Sequence, residues 1–399
     1  MQPLAGIRIL DFFWLGAGPM ASLVLQHLGA EVIKIESGER MDKIREGGPY
    51  PTGPDHDEAG VFASLNCGKK SLLLNLSHPE AREVVFDLVK SCHVVTNNFK
   101  ASTMGRFGIS YADLRKHNPR IVYITMSTMG AVGPHAHYGA YGSHLAALTG
   151  FNMLAGEEGE IPIGLGTLFP DFSCNPLHAT AAILAGLRHG AATGEGVDID
   201  VCQFESTLHL LGPALKFTST TGEQPARVGN RHLWRVPHGV YQCAGDDEWL
   251  ALSVGSDHQW RSLVELLAPE SAGGWFQNDT FLQRQRHREE IDVAIGAWLR
   301  VRDKWHAAEE LLAAGVPASP VSTIADLLER DVTLKDEFVQ VQLESGAGAT
   351  VQRLPIEIGE YGTLSRPPLL GEHNFDILVN VCGYQPERVA ELIAAGVMQ

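Results

Sequence analysis

The first thirty-six residues constrain the fold of this chain more than any other stretch. "GIRILDFF" (6–13) is an apolar run of strand length, "GPMASLVLQHLGA" (18–30) has helical periodicity with Pro19 in its first turn, and "EVIKIE" (31–36) is a second strand. Strand, helix and strand in so short a span make a βαβ unit, which forces parallel pairing and a right-handed crossover. After a Gly/Pro/Asp-rich stretch at 47–60 the pattern resumes. A helix over 79–91 leads into the strand "HVVTN", and "IVYITMS" (121–127) gives another strand. The spacing predicts an α/β fold, with one open, Rossmann-like parallel sheet covered by helices on both faces.

The texture changes at 218–239, which is polar and turn-rich. Beyond it, "GVYQCAGDDEWLALSVGS" reads as a hairpin turning at Gly245, Asp246 and Asp247, followed by helices. The expected organisation is a large Rossmann-like domain over 1–217, a small α+β domain over 225–325, and a segment, 330–399, returning to the large domain. "GVPASPVSTIADLLERD" contains a helix that Ser322 or Thr323 can cap.

Charge and cysteine usage remove several function classes. Lys and Arg number 31 against 47 Asp and Glu, a formal charge of −16, which disfavours a nucleic-acid partner. Any anionic ligand must then meet a local basic cluster. No apolar run approaches the roughly 18 residues of a membrane span, and "MQPLAGIRILDF" lacks the layout of a signal peptide. The 6 cysteines lie far apart with no C-x-x-C pair, which signals neither a metal site nor a disulfide framework. A cytoplasmic enzyme without bound metal is the expectation.

Two short stretches carry chemistry. Gly16 to Ala21 fit G-x-G-x-x-A directly after a strand, with Glu36 closing the next strand. Such a turn brings backbone amides to a pyrophosphate and the acid to a ribose, so a nicotinamide or flavin enzyme fits these residues. Pro19 weakens that reading by removing one amide from the helix start. Lys69, Lys70, Lys100 and Arg106 lie near strand ends, a rim that suits another phosphate-bearing ligand such as coenzyme A. The second stretch is "FPDFSCNPLHATAAILAGLRHG" (169–190). Asp171 here is either a helix cap or a nucleophile. Asn175–Pro176 offers a rival helix start that would leave Asp171 unneeded as a cap, with Leu177, Ala181 and Leu184 as the inward stripe. Phe13, Trp14 and Trp234 read most simply as core residues.

Blocks in a fixed order extend the argument. "LDFFWLGAGPMASLVLQHLGAEVIKIE", "LNCGKKSLLLNLSHPEAR", "VVTNNFKASTMGRFGISYADLRKHNPRIVYITMSTMGAVGP", "GVDIDVCQFES", "AAGVPASPVSTIADLL" and "PPLLGEHNFDIL" together resemble the class III CoA-transferases, the group that includes formyl-CoA transferase and carnitine CoA-transferase. The resemblance implies an interlocked homodimer, in which each subunit has a Rossmann-like large domain and a smaller one. It implies acyl-CoA and carboxylic acid as substrates, no tightly bound cofactor, and Asp171 as the catalytic nucleophile. The CoA-binding positions it carries over are Gly16, Ala17, Leu74, Asn75, Asn98, Phe99, Lys100, Arg106, Ala140 and Tyr141. Two features depart from the group's pattern. Ser37 stands where relatives often place an arginine, leaving Arg40 or a lysine for the nucleotide. The glycine-rich loop over the aspartate is not evident, leaving Gly255 as a candidate oxyanion donor. An α-methylacyl-CoA racemase of the same fold is the alternative, with His144 as its possible second acid/base, and a non-catalytic subunit paired with a paralogue is another.

Overall fold

The computed structural model describes the chain except residues 1, 54, 167, 268–279, 331–333, 335, 336, 357 and 359–363. The chain separates into two compact units. One comprises Met1–Asn152, Gly164–Gln224 and Asp336–Gln399, and the other Met153–Ile163 and Pro225–Lys335.

The larger unit is built on β1 (Arg8–Phe12), β2 (Glu31–Glu36), β3 (Lys70–Leu73), β4 (Val94–Asn97), β5 (Val122–Thr125) and β6 (Val197–Asp200). They form one parallel sheet in the order β3-β2-β1-β4-β5-β6. Helix α1 (Ala17–His27) follows β1, α2 (Gly60–Asn66) precedes β3 and α3 (Pro79–Val89) follows it. Alternate residues of β1 serve opposite faces: Leu10 and Phe12 join the core containing α3, whereas Ile9 joins that of α1. Burial on both faces is why these strands read as continuous apolar runs. Ile377, Leu378, Val389 and Leu392, from the tail of the chain, complete the α3-side core.

After β4 come α4 (Thr103–Arg106) and α5 (Tyr111–Leu114); after β5 come α6 (Gly142–Leu148), α7 (Phe169–Phe172) and α8 (Cys174–Thr193). The inward face of α8 is not the expected one. Leu177, Ala181 and Leu184 are exposed, and Ala179, Ile183 and Gly186 are buried instead. The contact with β5 is closest at Gly186, where a Cβ would come within 2.8 Å of Val122 Cγ1, while Ala179 and Ile183 on the same side join the core around Val122 and Ile124. Both faces of α8 are apolar, and periodicity alone does not choose between them.

In the smaller unit β7 (His238–Gln242) and β8 (Trp249–Ser253) form an antiparallel hairpin, and β9 (Ala318–Pro320) pairs with β8. Gly245 (φ 111°) and Asp247 (φ 55°) supply the left-handed conformations of the turn. Trp260, Leu263, Ile291, Ile295 and Leu311 pack against this sheet. Thr323 caps the helix Ile324–Glu329, accepting from the Asp326 amide. Trp234, expected in the core, is exposed. Among the described residues no helix is long and apolar enough to cross a membrane, and no cluster of His, Cys, Asp or Glu could hold a metal ion.

Candidate active site

In a sheet of this strand order the chain reverses direction beside β1, and ligands bind outside the carboxyl ends of the strands at that point. The turn leaving β1 is held there by side chains. Asn98, just past β4, accepts from the Trp14 amide (2.9 Å) and donates to the Trp14 carbonyl (2.7 Å), while the Trp14 indole donates to Ile35 O (3.1 Å). Gly18 is required by close packing, because a Cβ there would come within 2.6 Å of the Phe13 ring. Its place in the glycine pattern thus has a packing cause.

Asp171 is neither a cap nor outside the helix. It sits within the single turn of α7, which stops at Ser173 (φ −120°, ψ −94°) before α8 begins at Cys174. No side chain caps either helix. The break turns Asp171 inward, so that only 7% of the residue is exposed. Two helix starts close around it. A Cβ on Gly16 would meet Asp171 Cβ at 3.4 Å, and one on Gly142 would lie 2.7 Å from the carboxyl carbon. Only glycine fits at 142. Burial pushes the carboxyl pKa up to about 6, and the Gly142 amide, donating to it, opposes that rise. The group is thus mostly ionised at neutral pH, yet more basic than an exposed aspartate.

Two cavities open in the same unit. One, of about 350 Å³, is lined by Trp14, Arg40, Leu74, Asn75, Phe99 and Phe107, among others. The second, of about 410 Å³, is lined by Asn98, Phe99, Lys100, Ala140, Tyr141 and His144, with Ser127, Thr128, Tyr138 and Gly139. Phe99 lines both. Of the positions taken from the resemblance, Leu74 and Asn75 meet in the first, Asn98, Lys100, Ala140 and Tyr141 in the second, and Gly16 lies against Asp171. Ala17 is buried in the first turn of α1. Arg106 lines neither cavity; it is exposed, 3.4 Å from Thr103 Oγ1.

Several candidates are engaged elsewhere. Lys69 is buried, donating to Pro19 O, Ser22 Oγ and Asn66 Oδ1, with Asp11 at 3.6 Å. Lys70 pairs with Glu31 and Asp376. Neither belongs to a phosphate rim; Arg40 and Lys100 do line the cavities. Both oxygens of Glu36, the acid a dinucleotide would need, accept from Arg45 at 2.9 Å. Gly255 donates its amide to Gln259 Oε1 (2.8 Å), so the oxyanion donor proposed there is occupied. Two residues were passed over by sequence reasoning. Trp14, taken for core, is a cavity wall. Gly142 was hidden beside Tyr141, although a glycine opening a helix directly after a proposed ligand residue is a signal for close approach.

Comparison with known proteins decides the family. Residues 4–374 match the family described as "CoA-transferase family III". This chain belongs to that family. It is 31% identical over 363 residues to the acetyl-CoA:oxalate CoA-transferase of Acetobacter aceti, covering 90% of both chains. It is 32% identical over 391 residues to the succinyl-CoA:mesaconate CoA-transferase of Haloarcula marismortui, covering 95% of this chain and 96% of that one. Among solved structures, a CaiB/BaiF family protein from Brucella suis superposes with a TM-score of 0.87 at 28% identity, covering 95% of this chain and 99% of the other. This family III transferase therefore acts on CoA thioesters, and its fold, built on the six-stranded parallel sheet, is shared with the Brucella suis protein.

Proposed function

We propose that the enzyme moves CoA from an acyl-CoA, with succinyl-CoA as the leading donor, to a carboxylic acid by covalent catalysis on Asp171. The observation that carries this is a carboxylate buried between Gly16 and Gly142 with its pKa raised to about 6, at the carboxyl end of the sheet. The carboxylate attacks the thioester carbonyl, the C–S bond breaks, and CoA thiolate leaves a mixed anhydride. The thiolate attacks the aspartyl carbonyl, releasing the donor acid and leaving an aspartyl-CoA thioester. The acceptor carboxylate displaces the thiolate to form a second anhydride. The thiolate then attacks the acceptor carbonyl, giving the new acyl-CoA and free Asp171. Every attacking group is already an anion, so no proton has to move.

When the thiolate attacks the aspartyl carbonyl, negative charge grows on an oxygen of Asp171 itself. The Gly142 amide, which faces that carboxyl, is the donor we assign to it. Burial keeps water from the anhydride. CoA would place its nucleotide against Leu74, Asn75 and Arg40 and its pantetheine arm past Phe99 toward Lys100, Ala140 and Tyr141, with Gly16, Ala17 and Asn98 supporting the turn. The relatives that are succinyl-CoA:mesaconate and succinyl-CoA:glutarate CoA-transferases support the choice of donor. The exposed apolar side of α8, with Leu177 and Leu184, and the exposed Leu215 and Phe217 support a homodimer. The test is incubation with a panel of acyl-CoAs, borohydride reduction and peptide mass spectrometry. A reduced adduct on Asp171 is expected, and its absence with every donor that turns over would overturn the covalent route. The racemase reading rests on His144, which lines the cavity with Tyr141. Loss of an α-deuterium during turnover would favour it.

A further inference from the structure

Beneath the β1–α1 turn lies a buried ionic cluster that takes no part in the proposed reaction. Lys34 and Asp42 are fully buried and paired at 2.8 Å. Lys34 Nζ also donates to the Phe13 carbonyl (2.9 Å), and Asp42 Oδ1 accepts from the Leu15 amide (2.9 Å). Asp42 is itself held in place: its amide donates to Glu36 Oε1 (3.1 Å), and Glu36 is paired with the buried Arg45. The residue gripped by this pair is unusual. Leu15 has φ 68°, a left-handed conformation that a γ-branched side chain rarely adopts and that persists only where its surroundings over-determine it. The next residue is Gly16, whose Cα faces the Asp171 side chain.

A buried ion pair is weak evidence for stability, since apolar residues of similar volume often do as well. Its two anchors here end on one strained turn, and that turn ends against the nucleophile. We propose that the Lys34–Asp42 pair is a positioning device that holds Leu15 left-handed and so sets Gly16 against the Asp171 carboxyl. The proposal rests on Asp171 being the nucleophile. Lys34 and Asp42 touch no substrate; they act through the backbone of 13–16. If the pair lets go, Leu15 relaxes toward negative φ and Gly16 moves. A shift of about 1 Å at a reacting group can lower a rate about 100-fold.

The test compares Asp42→Asn, Leu15→Gly and their combination with the wild type. Read-outs are the single-turnover rate of adduct formation on Asp171, CoA affinity by calorimetry, and the thermal midpoint. Asp42→Asn should slow adduct formation by about 100-fold in protein that remains folded. Leu15→Gly alone should leave the rate near wild type, because glycine adopts φ 68° without strain. In the glycine background Asp42→Asn should cost at least tenfold less, and a merely structural role for Asp42 does not produce that coupling. Should Asp42→Asn fail to fold, Lys34→Met with Asp42→Leu removes both anchors without leaving a buried charge, and the same slowing is expected. Wild-type adduct rates in either folded variant overturn the proposal while leaving the Asp171 reading intact. If the wild type itself forms no adduct, the Asp171 reading fails, and the positioning role that rests on it is overturned with it.

Discussion

Replacing Asp171 with asparagine should make the protein more stable at alkaline pH while removing CoA exchange. The folded carboxyl has a pKa of about 6 against an ordinary 3.8, with burial as the first cause. An acid whose pKa rises on folding holds its proton more tightly in the native state. Its contribution to stability is therefore complete below about 3.8 and is lost as pH rises through about 6. The displacement corresponds to about 3 kcal/mol of strain carried by the ionised wild type at pH 8. Asparagine has nearly the same shape, is neutral throughout, and its Oδ1 can still accept from the Gly142 amide. The variant's advantage should be close to zero at pH 4 and full at pH 8, where it would raise the thermal midpoint by about 5 °C. Thermal unfolding of both proteins at pH 4, 6 and 8 reads this directly, with exchange from an acyl-CoA followed on the same preparations. An advantage independent of pH, or a variant less stable at pH 8, would refute the claim that this carboxylate is held ionised against its surroundings.

Further outcomes follow from the same geometry. kcat/KM for exchange should rise with pH with a midpoint of about 6 as Asp171 ionises and level off above it, measurable by initial rates across a pH series. Gly142→Ala places a Cβ 2.7 Å from the carboxyl carbon, so kcat should fall about 100-fold, while folding is weakened by about 1–3 kcal/mol in chemical denaturation. Arg40→Ala should weaken CoA binding about tenfold by calorimetry, whereas Lys70→Ala, whose charge is spent on Glu31 and Asp376, should leave it unchanged.

The order of elements was legible because it rests on local physics. A βαβ unit with strands buried on both faces leaves a run of "IRILDFF" and "EVIKIE" that periodicity can recognise, and parallel pairing follows, whereas the strand order β3-β2-β1-β4-β5-β6 came only with the structure. Asp171 could be singled out as an acid after a proline ahead of an apolar helix, and the hairpin at Gly245 by its turn chemistry. Tertiary structure decided what each charge does. Lys69 and Lys100 look alike in sequence, but one is sealed beneath Ser22 and Asn66 while the other lines a cavity. The close approach of Gly186 to Val122 turns that side of α8 to the sheet and leaves Leu177 and Leu184 outward, and burial raises the pKa of Asp171 against the opposing hydrogen bond from the Gly142 amide. Patterns along a chain report which residues must leave water; which of them meet, and at what distance, depends on segments that are remote in sequence and adjacent only once the sheet has formed.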